Sequence, residues 1–247
     1  MERLNEIEDP RRRLLIQALA AGLFSAGLPG ANALAVGIFG SRPTKLPVGK
    51  SIYRISGQAT VNGQEATPET QISPGDTVQT AKNSEIIFVV NGNHSMILRG
   101  DSHLVIESGK NASGSLLING LRLLTGRLLS VSRNAAMRIN TSTASIGIRG
   151  TGFYVESDPE QTYFCTCYGI TDIAASTDQE SHTTVESKHH DRPLYIVKGA
   201  GQGKNIRYAP FINHTDQELT LIEALVGRTT PFVFDNDAYS TPRRDYW

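Results

Sequence analysis

The stretch EIIFVVNGNHSMILRGDSHLVIES, residues 85–108, decides the fold class. It holds three short apolar runs, at 86–90, 96–98 and 104–106, rich in Ile and Val. Asn91-Gly92-Asn93 and Arg99-Gly100-Asp101 separate them. Runs this short, β-branched and punctuated by Asn-Gly and Gly-Asp read as strands, joined as close-set hairpins or as successive corners of a coil. Asp101 belongs to such a turn, so the Arg-Gly-Asp triplet is read as turn chemistry and not as an adhesion motif.

The same pattern extends in both directions. Upstream, SPGDTVQT (residues 73–80) sets Pro-Gly-Asp, a strong turn signal, before an alternating segment. Downstream, GSLLING, LRLLTGRLLSVS, AMRINTSTASIGI, GFYVES and YFCTCYGITDIAA supply further apolar runs. From about Ser51 to Val197 the expectation is therefore short strands with turns every ~8–12 residues, which favours a sandwich, barrel or β-solenoid over an α/β fold. One helix is expected after them. In NHTDQELTLIEALVGR, Thr215 and Glu218 form a capping box, Leu219, Ile222, Leu225 and Val226 make an apolar stripe, and Gly227 ends it.

The chain has 247 residues and 24 charges of each sign, so its formal net charge is zero. No basic tract offers the electrostatic footprint that nucleic acid requires, which excludes DNA or RNA as partner. At the N-terminus, Arg11-Arg12-Arg13 precede an apolar run, residues 14–27, shorter than the ~20 residues of a spanning helix. Ala31-Asn32-Ala33 and Ala33-Leu34-Ala35 come next as alternative cleavage sites. This is the layout of a secretory signal peptide, and Arg-Arg-x-Leu-Leu also fits the twin-arginine export signal. The expected organisation is a signal peptide (1–35), a linker (36–50), a β domain (51–200), an extension (201–230) with a helix at 216–226, and a loose tail (231–247). The processed protein would lie outside the cytoplasm, with no stable membrane span.

The glycines of ASIGIRGTGFYVES (residues 144–157) are unusual for a strand and suggest a bulge or a backbone packed against a backbone. With SPGDTVQT, the strands of 84–107 and LLTGRLLSV, this segment resembles the FecR domain over roughly residues 70–175. The family's Val/Ile-Arg-Gly-Thr-x-Phe hallmark corresponds to Ile148-Arg149-Gly150-Thr151-Gly152-Phe153, so Arg149, Gly150, Thr151 and Phe153 carry the resemblance. It implies an all-β domain of twisted β-helix or β-roll character, with a β-sandwich as the alternative. It also implies protein–protein recognition or signalling in a bacterial envelope, and not catalysis. Iron-citrate-type FecR regulators carry a cytoplasmic anti-sigma segment before a membrane helix. Only residues 1–13 precede the apolar run here, so a stand-alone exported, periplasmic FecR-like protein is expected.

Both cysteines lie in YFCTCYG (residues 163–169). Strand alternation puts Cys165 and Cys167 on one face with Tyr163, and Phe164, Thr166 and Tyr168 on the other. Same-face neighbours lie roughly 6.5–7 Å apart at Cα, at the limit for a relaxed disulfide. Two thiolates could instead join imidazoles in a metal site holding zinc or another transition metal. His189 and His190 are the candidate partners, with His214 as alternate. Metal binding, thiol redox sensing and structural burial remain open at this point. The motifs of haem attachment, thioredoxin-type redox enzymes, metalloproteases and serine hydrolases are not found in the sequence.

Overall fold

A computed structural model of the chain describes residues 43–111 and 113–232, apart from the side chains of 133–135. The expected signal peptide, part of the linker and most of the tail lie outside the described residues. Among the described residues, no helix is long and apolar enough to cross a membrane.

The described residues form thirteen strands and then one helix. The strands are β1 (Ile52–Ser56), β2 (Ala59–Val61), β3 (Gln64–Glu65), β4 (Thr77–Thr80), β5 (Glu85–Val90), β6 (His94–Leu98), β7 (His103–Lys110), β8 (Leu116–Asn140), β9 (Ala144–Ser157), β10 (Gln161–Ala175), β11 (Asp178–Ser187), β12 (Leu194–Val197) and β13 (Ile206–Tyr208). The helix is α1 (Asp216–Leu225). The all-β class with one C-terminal helix is as the sequence predicts. Every ladder among the described residues is antiparallel; the first two runs of residues 85–108 form the β5–β6 hairpin, whereas β6 and β7 do not pair with each other and each pairs a different part of β8. The sheet runs β13-β12-β10-β9-β8-β7-β4-β2-β3, with β6, β5 and β1 branching from β8 and β11 pairing β10.

Two expectations change. GSLLING, LRLLTGRLLSVS and AMRIN are not separate short strands; they are one strand, β8. Its first part pairs β7, while its second part runs between β6 and β9. Gly126 marks the change of partners, at φ +92°, where a Cβ would lie 2.1 Å from Ser102 Oγ. A left-handed backbone and a close neighbour both demand glycine, so a strand continues where a side chain would break it. The β body also runs past residue 200, because β13 pairs β12.

Period-two alternation then gives the sheet two buried faces. The inner face gathers Phe88, Met96, Phe153, Val155 and Phe164 with Val78, Leu104, Ile106, Leu121 and Leu123 from the other arm, so the sheet folds over its own core. The outer face carries the row Ile87, Ile97, Leu129, Tyr154 and Cys165, each directly opposite the next. Helix α1 covers that row with Leu219, Ile222 and Leu225. Each such side chain, fully buried, contributes roughly 1.5–3 kcal/mol, which is why a ten-residue helix too short to persist alone is held. Thr215 and Glu218 form the expected capping box, and Gly227 lies beyond the helix at φ +73°. Leu46, in the expected linker, donates its N–H to the Leu225 carbonyl at 2.9 Å.

Candidate functional site

The cysteine strand departs from simple alternation at one point. Cys165 pairs Tyr154 and Thr166 pairs Phe153, but the next pair is Tyr168 with Gly152. Cys167 is thus the extra residue of a β-bulge, and the bulge turns Tyr168 onto the same face as the cysteines. The expectation that Tyr168 sides with Phe164 and Thr166 is corrected by this insertion. The Tyr168 ring needs the space over Gly152, where a Cβ would sit 2.4 Å from it. Its hydroxyl donates to Glu223 of α1, which also accepts from Arg228 Nε at 2.7 Å.

The bulge leaves a gap along one edge of β10. β12 pairs residues 161–164 and β11 pairs residues 169–175, so Cys165, Thr166 and Cys167 have neither as neighbour. Residues 188–193 cross this gap. Asp191 shapes the crossing by accepting from the N–H groups of Lys188 (2.6 Å) and His189 (3.2 Å). His190 sits there at φ +54° and donates its own N–H to the Cys167 carbonyl at 2.9 Å. A left-handed non-glycine residue costs of the order of 1–3 kcal/mol and persists only where its surroundings hold it, which is common at functional sites.

Four side chains meet at this point. Ligating atoms of Cys165, Cys167, His190 and His214 all lie within 4.8 Å of one another, and all four residues are buried. Cys165 Sγ is 3.4 Å from His190 Nδ1, and His190 Nδ1 is 3.2 Å from His214 Nε2. Both cysteines are free thiols. His189 does not join the four. Its Nε2 lies 3.0 Å from Asp216, and it forms a second group with His190 and Asp216. Of the five candidate residues, the structure therefore brings Cys165, Cys167, His190 and His214 together and sets His189 one step outside.

Each imidazole is oriented through its other nitrogen. His190 Nε2 donates to Asp216 Oδ1 at 2.9 Å, and His214 Nδ1 donates to the Ile212 carbonyl at 2.7 Å. His214 also stacks on the Tyr154 ring at 4.4 Å, while Phe211 and Phe232 flank His190. Aromatic rings thus flank the cluster.

Its electrostatics arise from burial set against these bonds. Burial pushes the Asp216 carboxyl up, but hydrogen bonds and charge from His189 and His190 outweigh it and hold the carboxyl far below the usual range. Its place in the first turn of α1 favours the anion as well. Burial opposes a charge on His190, yet the bonds to Asp216 and Cys165 raise its affinity for a proton. Burial raises both thiols, but bonds from Cys167, His190 and His214 bring Cys165 well below an ordinary thiol, while the neighbouring Cys165 leaves Cys167 raised. The arrangement concentrates one negative carboxylate, one thiolate-prone sulfur and two imidazole lone pairs on a small buried volume.

Several contributors carry no motif. Asp216 reads in sequence only as a helix start, and Tyr154 as one more core aromatic. The family hallmark spreads across the sheet rather than forming a pocket. Phe153 is buried and stacks on Phe164 at 5.8 Å, Thr151 is buried, and Arg149 pairs at the surface with Asp172 at 2.5 Å.

Two crystal structures of a putative anti-sigma factor from Parabacteroides distasonis ATCC 8503, at 1.65 and 2.50 Å resolution, are similar to the chain at 12% identity and a TM-score of 0.42. The similarity covers 58% of this chain and 62% of each of those chains. No curated protein sequence matches. The family pattern described as FecR protein matches residues 76–169. That span, under half of the chain, runs from the β4 turn through the hallmark strand to Gly169, just past both cysteines, and over it the chain is similar to the FecR protein family.

Proposed function

We propose that the chain is an exported, non-catalytic FecR-type protein that recognises another envelope protein and takes part in its regulation. The observation that carries this reading is the FecR match over residues 76–169, in a family whose role is signalling or regulatory. Export is supported by the three arginines, the short apolar run of 14–27 and the two small-residue cleavage sites. A neutral charge balance supports a protein partner over nucleic acid.

The test places a photo-crosslinking residue at exposed Leu124 or Tyr208 and irradiates living cells. The expected result is a recurrent adduct with one envelope protein, formed by chain whose intact mass shows cleavage after Ala33 or Ala35. Chain that stays full-length in the cytoplasm and yields no recurrent adduct would sink the proposal.

A further inference from the structure

The cluster of Cys165, Cys167, His190 and His214 poses a problem of proton accounting. A carbonyl oxygen only accepts, so the contact with Ile212 puts the His214 proton on Nδ1 and leaves a lone pair on Nε2. In neutral His190 the carboxylate of Asp216 likewise puts the proton on Nε2 and leaves a lone pair on Nδ1. These two lone pairs face each other at 3.2 Å between two buried side chains. Two buried acceptors in contact are unfavourable unless something electropositive lies between them. The Cys165 sulfur lies beside both imidazoles, with His190 Nδ1 at 3.4 Å, but a thiol has one proton and cannot serve two lone pairs at once. Cys167 Sγ points no better, with the Cys165 carbonyl at 3.9 Å.

A metal ion resolves all four at once. Bond lengths of about 2.3 Å to sulfur and 2.0–2.1 Å to nitrogen at a tetrahedral centre require edges of about 3.6 Å between S and N and about 3.3 Å between N and N. The separations of 3.4 and 3.2 Å lie close to those edges. The surroundings also suit a metal. Each histidine gives its second nitrogen to an oxygen acceptor, the arrangement that fixes metal-bound imidazoles, and Asp216 is itself held by His189.

We propose that Cys165, Cys167, His190 and His214 hold one zinc ion in a closed tetrahedral site that fastens residues 188–193 and the start of α1 to β10. Two sulfurs and two nitrogens in this geometry select zinc over the harder cations. Four buried protein ligands complete the coordination shell, so the site is structural and leaves no position for a reacting water. Binding releases the two thiol protons to solvent and leaves the ion and its thiolates neutral together. Asp216 and His189 position His190 without touching the metal.

The test uses the full chain purified without a polyhistidine tag, with reduced thiols verified by titration. Elemental analysis should find one zinc per chain. Removing it with a chelator should lower the unfolding temperature, and returning zinc should restore it. Cobalt taken up by the stripped protein should show the visible bands of a tetrahedral ion and a thiolate charge-transfer band. His214→Gln and Cys165→Ser should abolish stoichiometric uptake, whereas His189→Gln should keep it with affinity lowered about 10-fold, as for an outer-shell partner. A folded wild-type chain with reduced thiols that takes up neither zinc nor cobalt overturns the proposal, independently of how any variant folds. Stoichiometric copper in place of zinc overturns the choice of metal. Uptake lost in His189→Gln but kept in His214→Gln overturns the ligand set.

Discussion

The two faces of the sheet are built on different principles. The inner face is mainly apolar, closed by the sheet folding on itself, and drawn largely from within residues 76–169. The outer face begins with the same strands, but it is completed by Leu46, residues 188–193 and α1, all outside residues 76–169. It also holds most of the buried titratable groups, Glu223, His190, His214 and the two thiols, with half-buried Asp216 beside them. An apolar face tolerates inexact packing, whereas a buried polar face must satisfy every donor and acceptor. The inner face therefore supplies stability to the domain, and the outer face supplies a specific attachment for the segments that flank it.

That contrast can be broken or sharpened by substitution. The largest effect is expected on the inner face from Phe153→Ala, which removes a fully buried ring stacked on Phe164 and should cost about 4 kcal/mol in urea unfolding. A loss under about 1 kcal/mol would mean that the hallmark phenylalanine is not a core residue.

The inner face should also be acid-sensitive through His94. Burial, helped by the charge of Arg228, lowers its pKa from 6.5 to about 4. Above pH 6.5 the imidazole is neutral in both folded and unfolded chains, and its contribution is fully present. As pH falls toward about 4, the unfolded chain takes up a proton that the folded chain refuses, and stability drops by about 3 kcal/mol. His94→Gln should flatten that part of the stability-versus-pH curve, read as the difference between the two proteins in paired unfolding series. Parallel curves would remove His94 as the cause.

On the outer face, Thr215→Ala removes the capping side chain of α1 and should cost about 1 kcal/mol. Hydrogen exchange should localise the loss to α1 and its contacts while β5 and β6 stay protected. Uniform loss of protection would show that the two faces unfold as one unit. The smallest effect is expected from Arg149→Ala, because the Arg149–Asp172 pair is largely exposed. Its melting temperature should stay within experimental scatter, so a clear drop would give the hallmark arginine a structural role that the surface pair does not explain.

Much of this was legible in local sequence. Strand alternation put Cys165 with Tyr163 on one face, the capping box of Thr215 and Glu218 marked the helix, and the Gly150–Phe153 segment carried the family resemblance. The remainder depended on backbone events that pattern does not encode. The bulge at Cys167 added one residue and reversed Tyr168. Strand β8 ran on through three apparent segments, and within the second of them Gly126 let it change partners at a position that reads as a turn. His214 replaced His189 beside the thiols because His190 adopts a left-handed conformation and Asn213 does likewise at φ +60°, and both set directions that sequence spacing alone leaves free.

The Arg99–Glu218 ion pair has a consequence for the order in which the protein is made. It joins the turn after β6 to the first turn of α1 across 119 positions of sequence, at 2.7 Å. Contacts so distant form late, since the entropy of closing the intervening loop must be met first. Strands β5 to β10 can assemble while Glu218 is still unsynthesised, leaving Ile87, Ile97 and Leu129 uncovered for that interval. The nascent protein thus passes through a stage with one core largely gathered and one bare apolar surface, the stage at which a chaperone or an aggregation partner has its opening.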